Sequence, residues 1–250
     1  MLISITELFS QSFEKYSKNF GRTFPYLSIL IAALLLRYGA GYFGVFLTFN
    51  TRLSSRISDL IVLILLIILA ILGFWGTIAF MKVAQNLDQN QPLLPFKQQF
   101  LSIKKYLLPV FFITLVNIFL ITLGGILLFI PAVIFFVWYY FSNYIVIFEN
   151  KGGLSTLSES KNLIVGRWWA MAWRIGIPKI FFSFLSGFVA KAAIAIFVII
   201  FNPSPIVYDL AFEFIAGTVA IFIFPLFVWQ DITLYYSAKQ TCQNISPLSV

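Results

Sequence analysis

From Leu60 to Met81 the chain carries no charged side chain. About 20 apolar residues at 1.5 Å each cross a ~30 Å hydrocarbon core, and inside that core a helix bonds its own backbone N–H and C=O groups. The stretch therefore reads as a membrane-spanning helix. Comparable runs occupy about residues 24–49, 60–83, 106–124, 131–148, 175–201 and 207–236. Overall the 250 residues are 60% hydrophobic and 10% charged, where soluble domains carry about 25% charged residues. Transmembrane barrels alternate in short segments of about ten residues, and no such alternation occurs. The fold class is an all-α membrane protein with six transmembrane helices. It is read as a single polytopic domain over residues 1–250 whose polar tail, 237–250, is cytoplasmic.

The net charge of +8 would suggest nucleic acid in a soluble protein. Here the basic residues flank the spans and meet anionic lipid headgroups, with no nucleic-acid partner. Lys15, Lys18 and Arg22 precede the first span. Lys82, Lys97, Lys104 and Lys105 lie between the second and third. Lys151, Lys161, Arg167, Arg174 and Lys179 lie between the fourth and fifth, and Lys239 follows the sixth. Only Arg52 and Arg56 lie on the other side. The positive-inside rule puts both termini in the cytoplasm of a cell (plasma or inner) membrane. No cleavable signal-peptide pattern is expected, because an amphipathic segment precedes the first apolar run. The lone Cys242 and the absence of histidine predict no intrachain disulfide, no metal site and no cofactor.

Residues 4–20 read as an interfacial helix. Ser4 and Glu7 have capping-box spacing, and Ile5, Phe9, Phe13, Tyr16 and Phe20 form one apolar face. Gly39, Gly41 and Gly44 would admit a neighbouring helix closely. The third span is expected to break at Gly124-Gly125, with an uncharged turn over 126–130 and re-entry at Pro131. No span shows a mid-depth interruption. Pro25, Pro109 and Pro178 each follow a basic, aromatic segment and open a pair of spans. That order suggests three tandem units, each an amphipathic interfacial helix plus a transmembrane hairpin, related by an axis along the membrane normal. The ordinary grammar of membrane hairpins is the alternative.

Between Pro131 and Trp169 the order is distinctive: a proline opening an aromatic span, Glu149 at its end, a Gly152-Gly153 turn, then Thr156-Leu157, Ser160, Leu163, Gly166 and Trp168. This stretch resembles the glycerophosphoryl diester phosphodiesterase membrane-domain family and its stand-alone, uncharacterised bacterial relatives. Ala132, Thr156 and Glu159 depart from the family pattern. The resemblance covers about a sixth of the chain. It implies a multi-helix bacterial membrane domain and supplies no catalytic residues.

Thr156 and Glu159 repeat the capping-box spacing, so a surface helix is expected from about Leu157, with Leu157, Ser160, Ile164 and Trp168 on one face. Glu149, Ser160, Arg167, Trp168, Trp169, Trp173 and Arg174 are candidate headgroup or interface contacts. The tryptophans would form an aromatic belt and the arginines would reach phosphates. Ser160 reads as a helix-contact hydroxyl, since a nucleophilic serine needs a base in reach.

Charges inside the spans are costly and usually paired. Arg37 lies about 20 Å into the first span, Lys191 about 24 Å into the fifth, and Glu213 about 9 Å into the sixth from its outer start. Asp209 and Glu213, four apart, share a helical face. The candidate intramembrane cluster is therefore Arg37, Lys191, Asp209 and Glu213, with separate snorkelling of Arg37 and Lys191 as the alternative.

The functional expectation is a non-enzymatic integral membrane protein of unknown specific role, acting as a scaffold or as a lipid- or partner-interacting domain. Its partners would be the bilayer, anionic headgroups on the cytoplasmic side, and a protein bound through the cytoplasmic amphipathic helices. The alternative is a transporter or lipid-handling protein with a polar site at the outer-side charges. With no histidine and no carboxylate pair placed for acid–base work, no enzyme is expected.

Overall fold

The computed structural model describes residues 2–50 and 55–245. Arg52, the loop around it and the tail beyond residue 245 lie outside the described residues, as do the surroundings of Gly41 and Gly44. Among the described residues there are nine helices and no strand. They are α1 (Ile5–Asn50), α2 (Ser55–Asp88), α3 (Phe96–Ser102), α4 (Lys104–Leu127), α5 (Phe129–Trp138), α6 (Ser142–Glu149), α7 (Ser155–Asn162), α8 (Trp168–Phe201) and α9 (Pro205–Ile245). Among the described residues, six helical stretches are long and apolar enough to span a membrane, the fourth being α5 and α6 taken together.

The helices run longer than the sequence expectation. The segment over 4–20 is not a separate interfacial helix but the first part of α1, which passes through Pro25 unbroken for 46 residues, about 69 Å. Proline removes one N–H and one i−4 bond, and the helix continues past that loss. α9 runs on to Ile245, so residues 237–245 of the expected tail are helical. Gly124 does not end α4. A Cβ there would lie 2.9 Å from the Ala132 backbone N, so this glycine admits α5 against α4. Leu128 alone is extended between them.

The fourth span is interrupted, contrary to the sequence expectation. α5 stops at Trp138 and α6 starts at Ser142. The Ser160 hydroxyl of α7 accepts the Phe141 N–H at 3.1 Å and donates to the Trp138 carbonyl at 2.8 Å. A side chain thus satisfies two backbone groups that the break leaves free, as apolar surroundings require. α7 begins at Ser155, and no capping box forms. Thr156 donates instead to the Gly153 carbonyl, while Glu159 pairs with Lys151. Leu157, Ser160 and Ile164 are buried on one face as expected, so α7 is a packed helix. Gly153 and Gly166 take φ of 79° and 81°, the left-handed region open to glycine, and bound α7 with turns.

The chain forms two compact units: residues 1–20, 81–181 and 225–250, and residues 21–80 and 182–224. In the first, Leu8, Phe141, Ile145, Ile164, Met171 and Tyr235 form the core. In the second, Gly76 lets Leu30 Cδ2 come within 3.1 Å of a Cβ position, and Gly217 lets Leu34 Cδ1 come within 2.9 Å. Leu60, Leu63, Ile64, Ile67 and Ile71 leave an apolar stripe of α2 exposed, as a lipid-facing surface would be.

Candidate functional site

The polar chemistry of the first unit gathers around two carboxylates. Asp231 of α9 is 3% exposed. Its Oδ1 accepts the Tyr140 hydroxyl at 2.7 Å, and its Oδ2 accepts the Tyr144 hydroxyl at 2.6 Å. The Lys179 ammonium completes the site 3.1 Å from Oδ2, lying over the Tyr140 and Phe227 rings. A buried carboxylate is tolerable when its lone pairs and charge are both answered. Tyr140 belongs to the turn between α5 and α6, so Asp231 also anchors the interrupted span. None of these four was a site candidate from sequence. Lys179 read only as a basic flank of the spans.

Glu149, expected at the headgroups, is the second hub. It accepts the Tyr235 hydroxyl and the Lys239 ammonium, the latter at 2.7 Å, and pairs with Lys151 at 2.9 Å. Lys151 reaches on to Glu159 at 2.8 Å. Hydrogen bonds to Glu149 and then Glu159 hold the Lys151 ammonium above the ordinary lysine range. The chain α9–Glu149–Lys151–Glu159 ties α7 to its neighbours.

Arg167 and Arg174, also expected at the headgroups, bond to main-chain carbonyls. Arg167 donates to the Leu163 and Ala238 carbonyls and contacts Cys242 Sγ at 2.8 Å. Arg174 donates to the Ile3 carbonyl at 2.6 Å and to the Ala170 carbonyl. Buried main-chain carbonyls compete well for guanidinium donors. Pro178 cannot bond the Arg174 carbonyl, and Gln230 donates to that oxygen at 3.1 Å. At the N-terminus, the Ser4 hydroxyl caps the Glu7 N–H, while the Glu7 carboxylate accepts from Gln11.

Of the interface candidates, Trp169 and Trp173 are exposed. Trp168 and Trp169 instead form one wall of a groove of about 530 Å³ together with Val165 and Gly166. The other wall is Phe129, Ile130, Val133, Ile134 and Trp138. The Lys161 ammonium lies 4.5 Å from the Trp138 ring centroid. Trp168 Nε1 is buried with no acceptor among the described residues.

In the second unit, Arg37, Lys191, Asp209 and Glu213 are all exposed. No ion pair or hydrogen bond joins them among the described residues. The charge cluster expected from sequence is therefore not assembled. Arg37 instead borders a groove lined otherwise by apolar residues. No group of three His, Cys, Asp or Glu placed to hold a metal occurs among the described residues. No protein-family model, curated protein or solved structure matches the chain.

Proposed function

We propose that the chain is a non-enzymatic integral membrane protein that binds phospholipid in the groove between α5 and the Val165–Trp169 segment. The observation that carries this reading is the lining: apolar and aromatic side chains throughout, in an open groove of about 530 Å³. Such a groove suits an acyl chain, with Trp168 and Trp169 at the level where indoles favour the interface. Lys161, over the Trp138 ring, supplies a cation beside the same groove.

Basic flanks orient both termini to the cytoplasmic side in this reading. The resemblance of the 131–169 stretch to membrane domains of glycerophosphoryl diester phosphodiesterases is consistent with a lipid-associated role. Native mass spectrometry of protein released from phosphatidylcholine–phosphatidylglycerol nanodiscs tests it. The wild type retains bound phospholipid, and Val165→Trp, which places an indole in the groove, loses one equivalent. An unchanged lipid count in that variant contradicts the proposal.

Transport is the second reading, and the interruption at residues 139–141 favours it, since interrupted spans recur at transporter sites. Against it, the carboxylate nearest the break, Asp231, has its oxygens taken by Tyr140, Tyr144 and Lys179. Proteoliposome flux that Asp231→Asn abolishes without unfolding the protein would select transport.

A further inference from the structure

The groove of the second unit is built by one repeat on two helices and a short stretch of a third. Leu30, Ala33, Leu34 and Arg37 of α1 follow at three and four residues, as do Leu66, Leu69, Ala70 and Gly73 of α2. Ala220, Ile221 and Phe224 of α9 complete it, around about 560 Å³. This spacing turns each set to one helical face.

Glycines show where the helices close and where they part. A Cβ on Gly76 or Gly217 would press on Leu30 or Leu34, whereas a Cβ on Gly73 meets nothing within 4 Å. Gly76 and Gly217 are therefore used for close packing, and Gly73, one turn from Gly76, borders open space. Small side chains at Ala33, Ala70, Gly73 and Ala220 make the trough; leucines, Ile221 and Phe224 make it apolar.

Among the described residues, Arg37 is the one charge in this lining. It makes no ion pair or hydrogen bond among the described residues, and Asp209 and Glu213 do not answer it. A guanidinium held beside hydrocarbon calls for an anion, and its planar fork matches phosphate in a bidentate way. The protein supplies the cation and the apolar trough; an anionic amphiphile supplies the counterpart of each.

We infer that this groove is a binding site for an anionic diacyl phospholipid, its acyl chain lying along Leu66–Gly73 and its phosphate on Arg37. The site shares no residue with the groove at Trp168 and does not depend on the reading given to that one.

The test uses the full-length chain carrying Val165→Trp, so that the first groove is filled, reconstituted in nanodiscs of phosphatidylcholine with a minority of phosphatidylglycerol. Native mass spectrometry then reads the retained lipid. Phosphatidylglycerol is expected to be enriched over phosphatidylcholine relative to the nanodisc. Arg37→Gln lowers that enrichment about tenfold, the scale of a lost charge-assisted hydrogen bond, while Arg37→Lys keeps part of it. Gly73→Leu, which fills the trough from an unobstructed position, removes the lipid of either class, and an unchanged melting temperature shows that it folds. Equal retention of the two lipids, or full retention in Gly73→Leu, overturns the inference. A second copy of the chain in place of lipid, seen as a dimer mass that Gly73→Leu abolishes, overturns it as well.

Discussion

Ser160 accepts the main-chain N–H of Phe141 at 3.1 Å and so closes the gap left by the interruption of the fourth span. The same hydroxyl donates to the Trp138 carbonyl, and Ser160 is fully buried. Ser160→Ala leaves a donor and an acceptor unpaired, at a cost of about 1–3 kcal/mol. Thermal unfolding in detergent should show that loss, with Ser160→Val lower still because its extra methyl meets the same backbone. A melting temperature equal to wild type in Ser160→Ala would mean that water replaces the hydroxyl.

Asp231→Ala strands the Lys179 charge and two tyrosine hydroxyls together. Breaking a buried pair from one side costs about 3–5 kcal/mol; Lys179 is 27% exposed, which places this pair toward the lower figure. Lys179→Met in the Asp231→Ala background should recover part of the loss. A double-mutant cycle on thermal stability checks this, and independent, additive effects would contradict the pairing.

Gln230 and Pro178 should be coupled. Gln230→Leu removes the donor from the Arg174 carbonyl and is expected to cost about 1 kcal/mol. In a Pro178→Ala background the helix regains its own N–H for that carbonyl, so the same substitution should cost less. Equal costs in the two backgrounds would show that Gln230 stabilises α8 by some other contact.

Lys151 supplies the pH prediction. Its folded-state pKa is raised by Glu149 and Glu159, so its contribution is fully present below the ordinary lysine value and is lost as pH rises through the folded one. The difference in melting temperature between wild type and Lys151→Met should therefore be flat from neutral pH to about pH 9, below the ordinary lysine value of about 10.4. It should be small, because Lys151 is 46% exposed and exposed pairs are weak. A difference that shrinks across that range would place the titrating group elsewhere.

The helical class and the six spans were legible because hydrocarbon imposes a long apolar run on every crossing, and such runs survive without tertiary information. The burial of Leu157, Ser160 and Ile164 was legible in the same way, from periodicity. The interruption at Tyr139–Phe141 was not, since no proline or glycine marks it and its stabilising hydroxyl, Ser160, lies about twenty residues further along. For Glu149, Arg167 and Arg174, position along the chain gives depth but not partners. Each bonds a group remote in sequence: Tyr235 and Lys239, Ala238, and Ile3. Arg37 was singled out for its charge, while the trough beside it depends on how three helices part around Gly73.

Photocrosslinking tests the lipid-binding claim most directly. A phospholipid with a diazirine near the end of its acyl chain, incorporated in nanodiscs with the protein, reports the groove by peptide mass spectrometry. Crosslinks are expected to concentrate on residues 129–138 and 165–169 and to be lost there in Val165→Trp. Crosslinks spread evenly over the exposed apolar faces, unchanged by that substitution, would contradict it.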